Sequence, residues 1–198
     1  MLRHLSVLAF AVLAIAACNR QAPTTAPSDA AAPVAATPPA TATAGPAAQT
    51  GPGFNGYGRA RFGMTAQETR QAWPGPLVGA APASGGDCYQ LSPASAESPR
   101  GFSIMLEGDK FVRYDVGTDA ETAPGGGKVG MTVDQIRSLY AGRIREQPAK
   151  YAPGGVDLRV GADDDSGSAL VFETDAAGKV ARWRVGQPPA VDYSEGCS

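Results

Sequence analysis

The sequence contains two copies of one short unit, and this internal repeat constrains the fold more than any other feature. Residues 61–73 read RFGMTAQETRQAW and align without a gap to KVGMTVDQIRSLY at 128–140. The match resumes downstream, where KFVRYDVG at 110–117 aligns with KVARWRVG at 179–186. Self-similarity at a fixed interval predicts that one supersecondary unit occurs twice in residues 54–198.

Each copy predicts one short capped helix. Thr65 and Thr132 both open a T-x-x-[EQ] capping box, in which the hydroxyl and the later side chain satisfy amides at a helix start. Apolar residues at helical spacing follow in both copies. Pro74 with Gly75 ends the first helix and Gly142 ends the second. Because such helices are short, tertiary packing must stabilise them.

Runs with strand character follow each helix. They cover 77–81, 88–91, 102–107 and 110–116 in the first copy, and 143–151, 156–160, 169–173 and 179–185 in the second. We therefore predict an α+β fold of two tandem repeats, each a short capped helix packed on a small antiparallel sheet. Repeat 1 is expected at 54–119 and repeat 2 at 120–198.

The N-terminus predicts export and lipid attachment. Arg3 precedes an apolar run from 5 to 15, and Ile-Ala-Ala stands directly before Cys18. This pattern resembles a bacterial lipobox, which implies a signal peptide at 1–17 and palmitate or another acyl chain on Cys18. An ordinary secretory signal or a short membrane anchor is the alternative. Asn19 follows the cysteine where aspartate would favour inner-membrane retention, so the expected location is the outer membrane, facing the periplasm.

A tether is predicted between the signal and the repeats. Residues 18–53 are dominated by Ala, Pro and Thr. Such a composition has too little large apolar surface to offset the entropy of ordering, so we expect disorder.

The cysteine count predicts a disulfide. With Cys18 acylated, Cys88 and Cys197 remain as an even pair in an oxidising compartment. A redox-active or metal-binding pair is the alternative, although no C-x-x-C spacing occurs. Tyr89 and Leu91 share one strand face, so Cys88 should point to the other face, where the C-terminal tail can present Cys197.

Strand alternation predicts a binding surface on the sheet face away from the helices. In the repeated strands, Tyr114 and Trp183 should pack under the helices, together with their neighbours two residues away on each side. The remaining side chains should form an outer face of paired Arg and Glu among apolar groups. An ordinary solvated face is the alternative reading. The candidate binding residues are Glu107, Phe111, Arg113, Glu173, Arg182 and Arg184.

The chemistry-bearing residues argue against an enzyme. His4 is the single histidine and would leave with the signal peptide, which excludes Ser-His-Asp and Cys-His arrangements and histidine metal sites in the mature chain. We therefore expect no catalytic residues, no metal and no cofactor. A net charge of −2 without a basic patch also argues against nucleic acid as a partner.

The repeated units resemble known envelope proteins. The Gly-Met-Thr capping box, its helix and the strands that follow look like the motif of the small lipoproteins of the outer-membrane β-barrel assembly machinery. Their duplication is similar to the β-lactamase inhibitory protein family, although the enzyme-contacting residues of that family cannot be matched here. The segment from Val171 to Cys197 also resembles a group of envelope proteins that are sometimes labelled lectins.

Two functions are therefore expected from the sequence. The first is a lipid-anchored periplasmic module that binds another envelope protein, as an assembly factor or enzyme inhibitor, through the outer sheet face. The alternative is a lectin-like lipoprotein that binds a glycan. Sugar sites usually stack a ring on an exposed aromatic side chain, and Phe111 is the main candidate on the outer face. Because exposed aromatic side chains are scarce on the outer face, a protein partner is favoured over a glycan.

Overall fold

The computed structural model describes residues 50–82, 86–162 and 166–197. The predicted signal peptide, the lipid acceptor Cys18 and the tether up to residue 49 lie outside the described residues, so those assignments stay predictions. Within the described ranges, no helix is both long enough and apolar enough to cross a membrane.

The described residues form two short α-helices, one 3₁₀ helix and eleven strands. The helices are α1 (Ala66–Ala72), α2 (Val133–Leu139) and the 3₁₀ helix Ala190–Asp192. A small sheet consists of β1 (Pro52–Gly53), β2 (Gly56–Tyr57) and β3 (Ala60–Arg61). The main sheet consists of β4 (Leu77–Val78), β5 (Cys88–Pro93), β6 (Phe102–Glu107), β7 (Lys110–Val116), β8 (Ile144–Pro148), β9 (Val156–Gly161), β10 (Ala169–Thr174) and β11 (Val180–Gly186).

The main sheet is continuous, and this makes the predicted fold class wrong. Its strand order is β4-β5-β6-β7-β11-β10-β9-β8, with antiparallel pairing throughout. The structure is mostly β, with 12% helix and 38% strand, rather than two separate helix-and-sheet units. Pairing of β7 with β11, in which Val116 faces Trp183, joins the two halves. The last strand of each half would otherwise be an open edge, and pairing satisfies the backbone groups of both edges.

Both predicted capping boxes are present. The Glu68 amide donates to Thr65 Oγ1 at 3.3 Å, and the Thr65 amide donates to Glu68 Oε2 at 2.8 Å. In the second copy, Thr132 and Gln135 exchange the same two bonds at 3.3 and 2.8 Å. The bond from the Thr65 amide lowers the pKa of Glu68 below its usual value. Each box fixes where its helix begins.

The sequence repeat is visible in how each helix start meets the sheet. The Gly63 amide donates to the Phe111 carbonyl at 2.8 Å, and the Gly130 amide donates to the Val180 carbonyl at 2.8 Å. Both glycines have a positive φ, 86° and 88°, which L side chains rarely adopt. The Gly-Met-Thr motif is therefore explained by a turn that returns the chain to the sheet.

The main core lies between the helices and one face of the sheet, which we call the inner face. Thr69 of α1 and Ile136 of α2 are fully buried. Tyr114 and Trp183 meet edge to face at the centre, with ring centroids 5.9 Å apart. The predicted inward positions Tyr114, Val116, Trp183 and Val185 are confirmed as members of this core.

A β-bulge in each half corrects the predicted outer face. The ladder between β6 and β7 shifts so that Met105 pairs with Arg113 and Leu106 with Phe111, which leaves Val112 unpaired. The ladder between β10 and β11 skips Ala181 in the same way. Each bulge reverses the alternation of side chains for the residues that precede it in the strand. Phe111 and Val180 therefore point into the main core. The prediction that Phe111 lies on the outer face is therefore wrong.

Candidate binding surface on the outer face of the sheet

The C-terminal segment, residues 187–197, crosses the sheet face opposite the helices, which we call the outer face. Val191 packs there against Ala169 and Val171 in a small second cluster. The crossing ends at a disulfide between Cys197 and Cys88 of β5, whose Cα atoms are 5.4 Å apart. The disulfide prediction is confirmed. So is the orientation of Cys88, because Leu91 and Tyr89 belong to the opposite, inner-face core.

Two of the predicted binding residues hold this segment in place. Arg113 donates from Nη1 to the carbonyls of Ala190, at 2.9 Å, and Tyr193, at 2.6 Å. Arg184 donates from Nε to the Val191 carbonyl at 2.6 Å. Both arginines are only 2% exposed. The prediction that Arg113 and Arg184 are exposed for a partner is therefore wrong, because the chain's own tail occupies them.

The same arginines form buried ion pairs with carboxylates on neighbouring positions. Arg113 makes a two-pronged contact with Asp115, at 2.9 Å from Nε and 2.7 Å from Nη2. Arg184 and Glu173 form an ion pair across β11 and β10. Pairing of this kind compensates the loss of water around each buried charge.

Three of the predicted binding residues keep contact with solvent. The side chains of Arg182 and Glu173 are 36% and 22% exposed, and they form a long ion pair at 3.7 Å. Glu107 is partly exposed at the end of β6. It lines a concavity of about 450 Å³ beside the disulfide, together with Lys150, Tyr193 and Glu195. Lys150 reaches Glu195 of the C-terminal segment at 3.2 Å.

A second concavity, about 180 Å³ in volume, brings in two residues that the sequence did not single out. Tyr151 and Asp157 line it together with the predicted Glu173. Lys150 and Ser194 line both concavities, so the two adjoin each other beside the C-terminal segment. We name the combined surface the outer groove. Its defining residues are Glu107, Lys150, Tyr151, Asp157, Glu173 and Ser194.

Tyr151 is the most prominent side chain of the outer groove. It is 59% exposed, more than the other exposed large apolar side chains in the described part of the chain, Val78 and Leu139. The Lys150 ammonium lies 4.9 Å from the centroid of its ring. The strand predicted at 143–151 includes it, but β8 ends at Pro148 and Tyr151 lies in the loop before β9. The neighbouring Pro153 and Gly154 were the available signal, since a loop aromatic beside turn residues is often exposed.

Asp157 gives the outer groove an unusual carboxyl. It is 4% exposed and faces Glu173 across the β9–β10 ladder. Burial raises its pKa above the ordinary value, and the charge of Glu173 raises it further. A bond from Gln147 at 3.5 Å and the charge of Arg184 act in the opposite direction. Desolvation therefore outweighs the favourable contacts of this group.

The chemical groups on the outer groove are suited to binding. Glu173 is neutralised by two guanidinium groups, those of Arg182 and Arg184. Across the described ranges, no group of three or more His, Cys, Asp or Glu side chains could hold a metal ion. What the surface offers is a flat aromatic ring, an ammonium group and partly exposed carboxylates, which can form hydrogen bonds and ion pairs with a ligand.

Comparison with known proteins gives no family. No protein-family model and no curated protein matches the chain. Among solved structures, a crystal structure of an extracellular protein containing a SCP domain from Bacillus anthracis str. Ames is similar over 64% of this chain and 44% of that chain. The identity is 8% and the TM-score is 0.38, so this likeness supports no argument about fold or function.

Proposed function

We propose that this protein is a lipid-anchored, non-catalytic module of the bacterial envelope that binds another envelope protein through the outer groove. The observation that carries the proposal is the exposed ring of Tyr151 next to charged groups that the fold already holds in place. Tyrosine and arginine are enriched where protein interfaces gain most of their affinity. Tyr151 lines the outer groove, and Arg182 pairs with Glu173, which lines the same groove.

The C-terminal segment supports a rigid surface. Arg159 binds Asp192 at 2.8 Å, Lys150 binds Glu195, and the disulfide closes the end of the segment. A surface ordered before binding loses less conformational entropy when a partner arrives. The outer groove therefore has the character of a preformed docking surface.

Site-specific photo-cross-linking in intact cells tests this proposal. A photoreactive phenylalanine analogue at position 151 should yield a discrete cross-linked envelope protein. The same analogue at position 139 is the matched control, because Leu139 is also an exposed apolar residue but belongs to α2. Arg182→Ala should weaken the adduct from position 151. The proposal fails if position 139 gives the same adduct or if position 151 gives none.

A glycan ligand is the second candidate, and the same tyrosine favours it. An exposed aromatic ring beside carboxylates can stack on a sugar and accept bonds from its hydroxyls. Both tryptophans are buried, Trp73 at 6% and Trp183 at 0% exposure, which leaves Tyr151 as the open large ring of the outer groove. Co-sedimentation with peptidoglycan and a glycan array, each compared with Tyr151→Ala, distinguishes this candidate from a protein partner.

Lipid attachment has its own test. If Cys18 carries the acyl chain, Cys18→Ala should leave an unprocessed precursor or release the protein into the soluble periplasmic fraction. Palmitate labelling and membrane fractionation measure this directly. Unchanged labelling of the variant would exclude the lipid anchor and leave the outer groove proposal standing.

A further inference from the structure

A separate cleft lies where α1 ends, and its walls include none of the outer-groove residues. Its volume is about 650 Å³, within the range of roughly 300–1,000 Å³ that is typical of small-molecule sites. Three aromatic side chains line one wall: Tyr57, Trp73 and Phe102. Pro74 and Pro93 also line the cleft.

The aromatic wall is held rigidly. Tyr57 stacks on Trp73 with ring centroids 4.6 Å apart and an angle of 24° between the planes. Phe102 meets Tyr57 edge to face at 5.2 Å and Trp73 at 5.4 Å. Three rings in mutual contact restrict one another's rotamers, so the wall is formed before any ligand arrives.

The lining of the cleft is also acidic. Glu97, Asp119 and Glu121 line the cleft against a single base, Arg100. In the part of the chain that the structure describes, no basic group lies within ion-pair distance of these three carboxylates. Tyr57 donates from Oη to Glu121 Oε1 at 2.7 Å and so holds that carboxylate against the rings. Burial, together with this bond, raises the pKa of Tyr57 above its ordinary value, which already keeps the hydroxyl protonated at neutral pH.

The corresponding place in the second half is closed. Tyr140, which aligns with Trp73, donates from Oη to the Pro124 carbonyl at 2.7 Å and accepts a bond from the Gly127 amide at 3.0 Å. A side chain at Gly125 or Gly127 would clash with the packed rings of Tyr140 and Phe172. The glycine-rich linker therefore fills this position, and the open cleft is a property of the first half.

We infer that the cleft binds a small organic cation, an ammonium group carried on an apolar or aromatic body. The carboxylates, which have no ion-pair partner, attract the positive charge, and a cation over the face of a lining ring adds a cation–π contribution. The apolar body displaces water from the ring wall. An anion of the same shape is repelled by the carboxylates.

Titration of the ¹⁵N-labelled full chain with benzylamine tests this inference. The chain has two tryptophans, Trp73 and Trp183, so its spectrum contains two indole N–H signals, which Trp73→Phe assigns. Benzylamine should shift the Trp73 signal and leave that of the buried Trp183 unchanged. Benzyl alcohol and benzoate should bind at least fivefold more weakly. Glu121→Gln and Asp119→Asn should each weaken benzylamine binding, whereas Glu107→Gln, on the outer groove, should not.

Several results overturn the inference. One is a Trp73 signal that does not move at millimolar benzylamine. Equal affinity for benzyl alcohol shows an apolar groove without cation selectivity. Tighter binding of the peptide Gly-Lys-Gly than of benzylamine assigns the cleft to a lysine of a protein partner instead of a small molecule. Asp119 is exposed, so its variant remains informative if Glu121→Gln alters the fold.

Discussion

Arg113 shows how this fold uses a charged side chain as an internal connector. It is 2% exposed, and its planar group binds Asp115 on one side and two carbonyls of the C-terminal segment on the other. A guanidinium has five donors in a fixed fork and cannot lose its charge, so it suits a site with several acceptors at set angles. Removing it would leave the Asp115 carboxylate buried with weaker compensation, from Arg182 at 3.6 Å.

We expect Arg113→Met to destabilise the protein by about 3 kcal/mol, since breaking a buried pair on one side leaves an uncompensated charge. Arg159→Met is the matched control, because Arg159 also connects the sheet to the tail but pairs with Asp192 near the surface. It should cost less than about 1 kcal/mol. Urea unfolding at pH 7 measures both. Equal losses for the two variants would contradict the structural role of Arg113.

Asp157 should make stability fall as the pH rises. Burial raises the pKa of Asp157 in the folded state above its unfolded value near 3.8. Between these two pKa values, the folded protein therefore binds more protons than the unfolded chain does. The contribution of Asp157 to stability is therefore most favourable below the unfolded pKa and is lost as the pH rises through the folded pKa. We expect Asp157→Asn to raise the melting temperature at pH 7 and to have little effect at pH 3. If Asp157→Asn changes the melting temperature equally at pH 3 and pH 7, protonation of Asp157 is not the cause of the change.

At the scale of the elements, the two bulges determine which side chains the sheet buries. Val112 and Ala181 are the unpaired residues at equivalent positions of β7 and β11. If Val112 and Ala181 were instead paired in regular ladders, Phe111 and Val180 would face the outer side, and the bridges from Lys110 to Thr65 and from Lys179 to Thr132 would be lost. The bulges thus connect each strand to the helix that packs on it.

Deletion of Ala181 tests whether the bulge serves to accommodate this extra residue. With Ala181 gone, Val180 directly precedes Arg182, so regular alternation keeps Val180 in the core and the start of α2 in place, and the melting temperature should change little. Ala181→Ser is the control, because the residue is exposed and a change of its side chain should alter stability by less than about 0.5 kcal/mol. Hydrogen exchange of the α2 amides should match that of the native chain in both variants. Faster exchange in the deletion variant would show that the bulge itself is needed for the docking of α2.

The helices and strands were largely predictable from the sequence, whereas the pairing of distant strands and the positions of the bulges were not. The strand predicted at 102–107 is β6, and both capped helices begin where the motif places them. Short-range patterns determine these features. Pairing of β7 with β11 depends on contacts between distant residues, and an unpaired bulge residue such as Ala181 has no distinct composition. Alternation therefore failed at Phe111 while it succeeded at Tyr114.

At the scale of the whole molecule, the disulfide joins the first half to the end of the chain. It closes a loop across a sequence separation of 109 residues. By loop-closure entropy it should contribute about 5 kcal/mol, less any strain in the native state. We expect Cys88→Ser and Cys197→Ser to cost the same, and the double variant to cost no more than either, because all three remove one cross-link. Additive losses, or free thiols in the non-reduced protein by mass spectrometry, would contradict this.

The C-terminal segment explains why only part of the outer-face site could be predicted from the sequence. Glu107, Glu173 and Arg182 were placed on the outer face and are partly exposed there. Arg113 and Arg184 were placed on the correct face, but the sequence did not show that residues 187–197 would cover them. Tyr151 lies outside the repeated motif, so comparison of the copies could not find it.

The central position of β7 and β11 also affects how the chain is made. During synthesis, β7 leaves the ribosome well before β11, since α2 and strands β8 to β10 lie between them in sequence. Until β11 arrives, β7 has an edge that can pair with another strand, including the β7 of a second nascent chain. A factor that keeps the first half apart from its neighbours during this interval would therefore raise the yield of folded protein without contacting the finished protein.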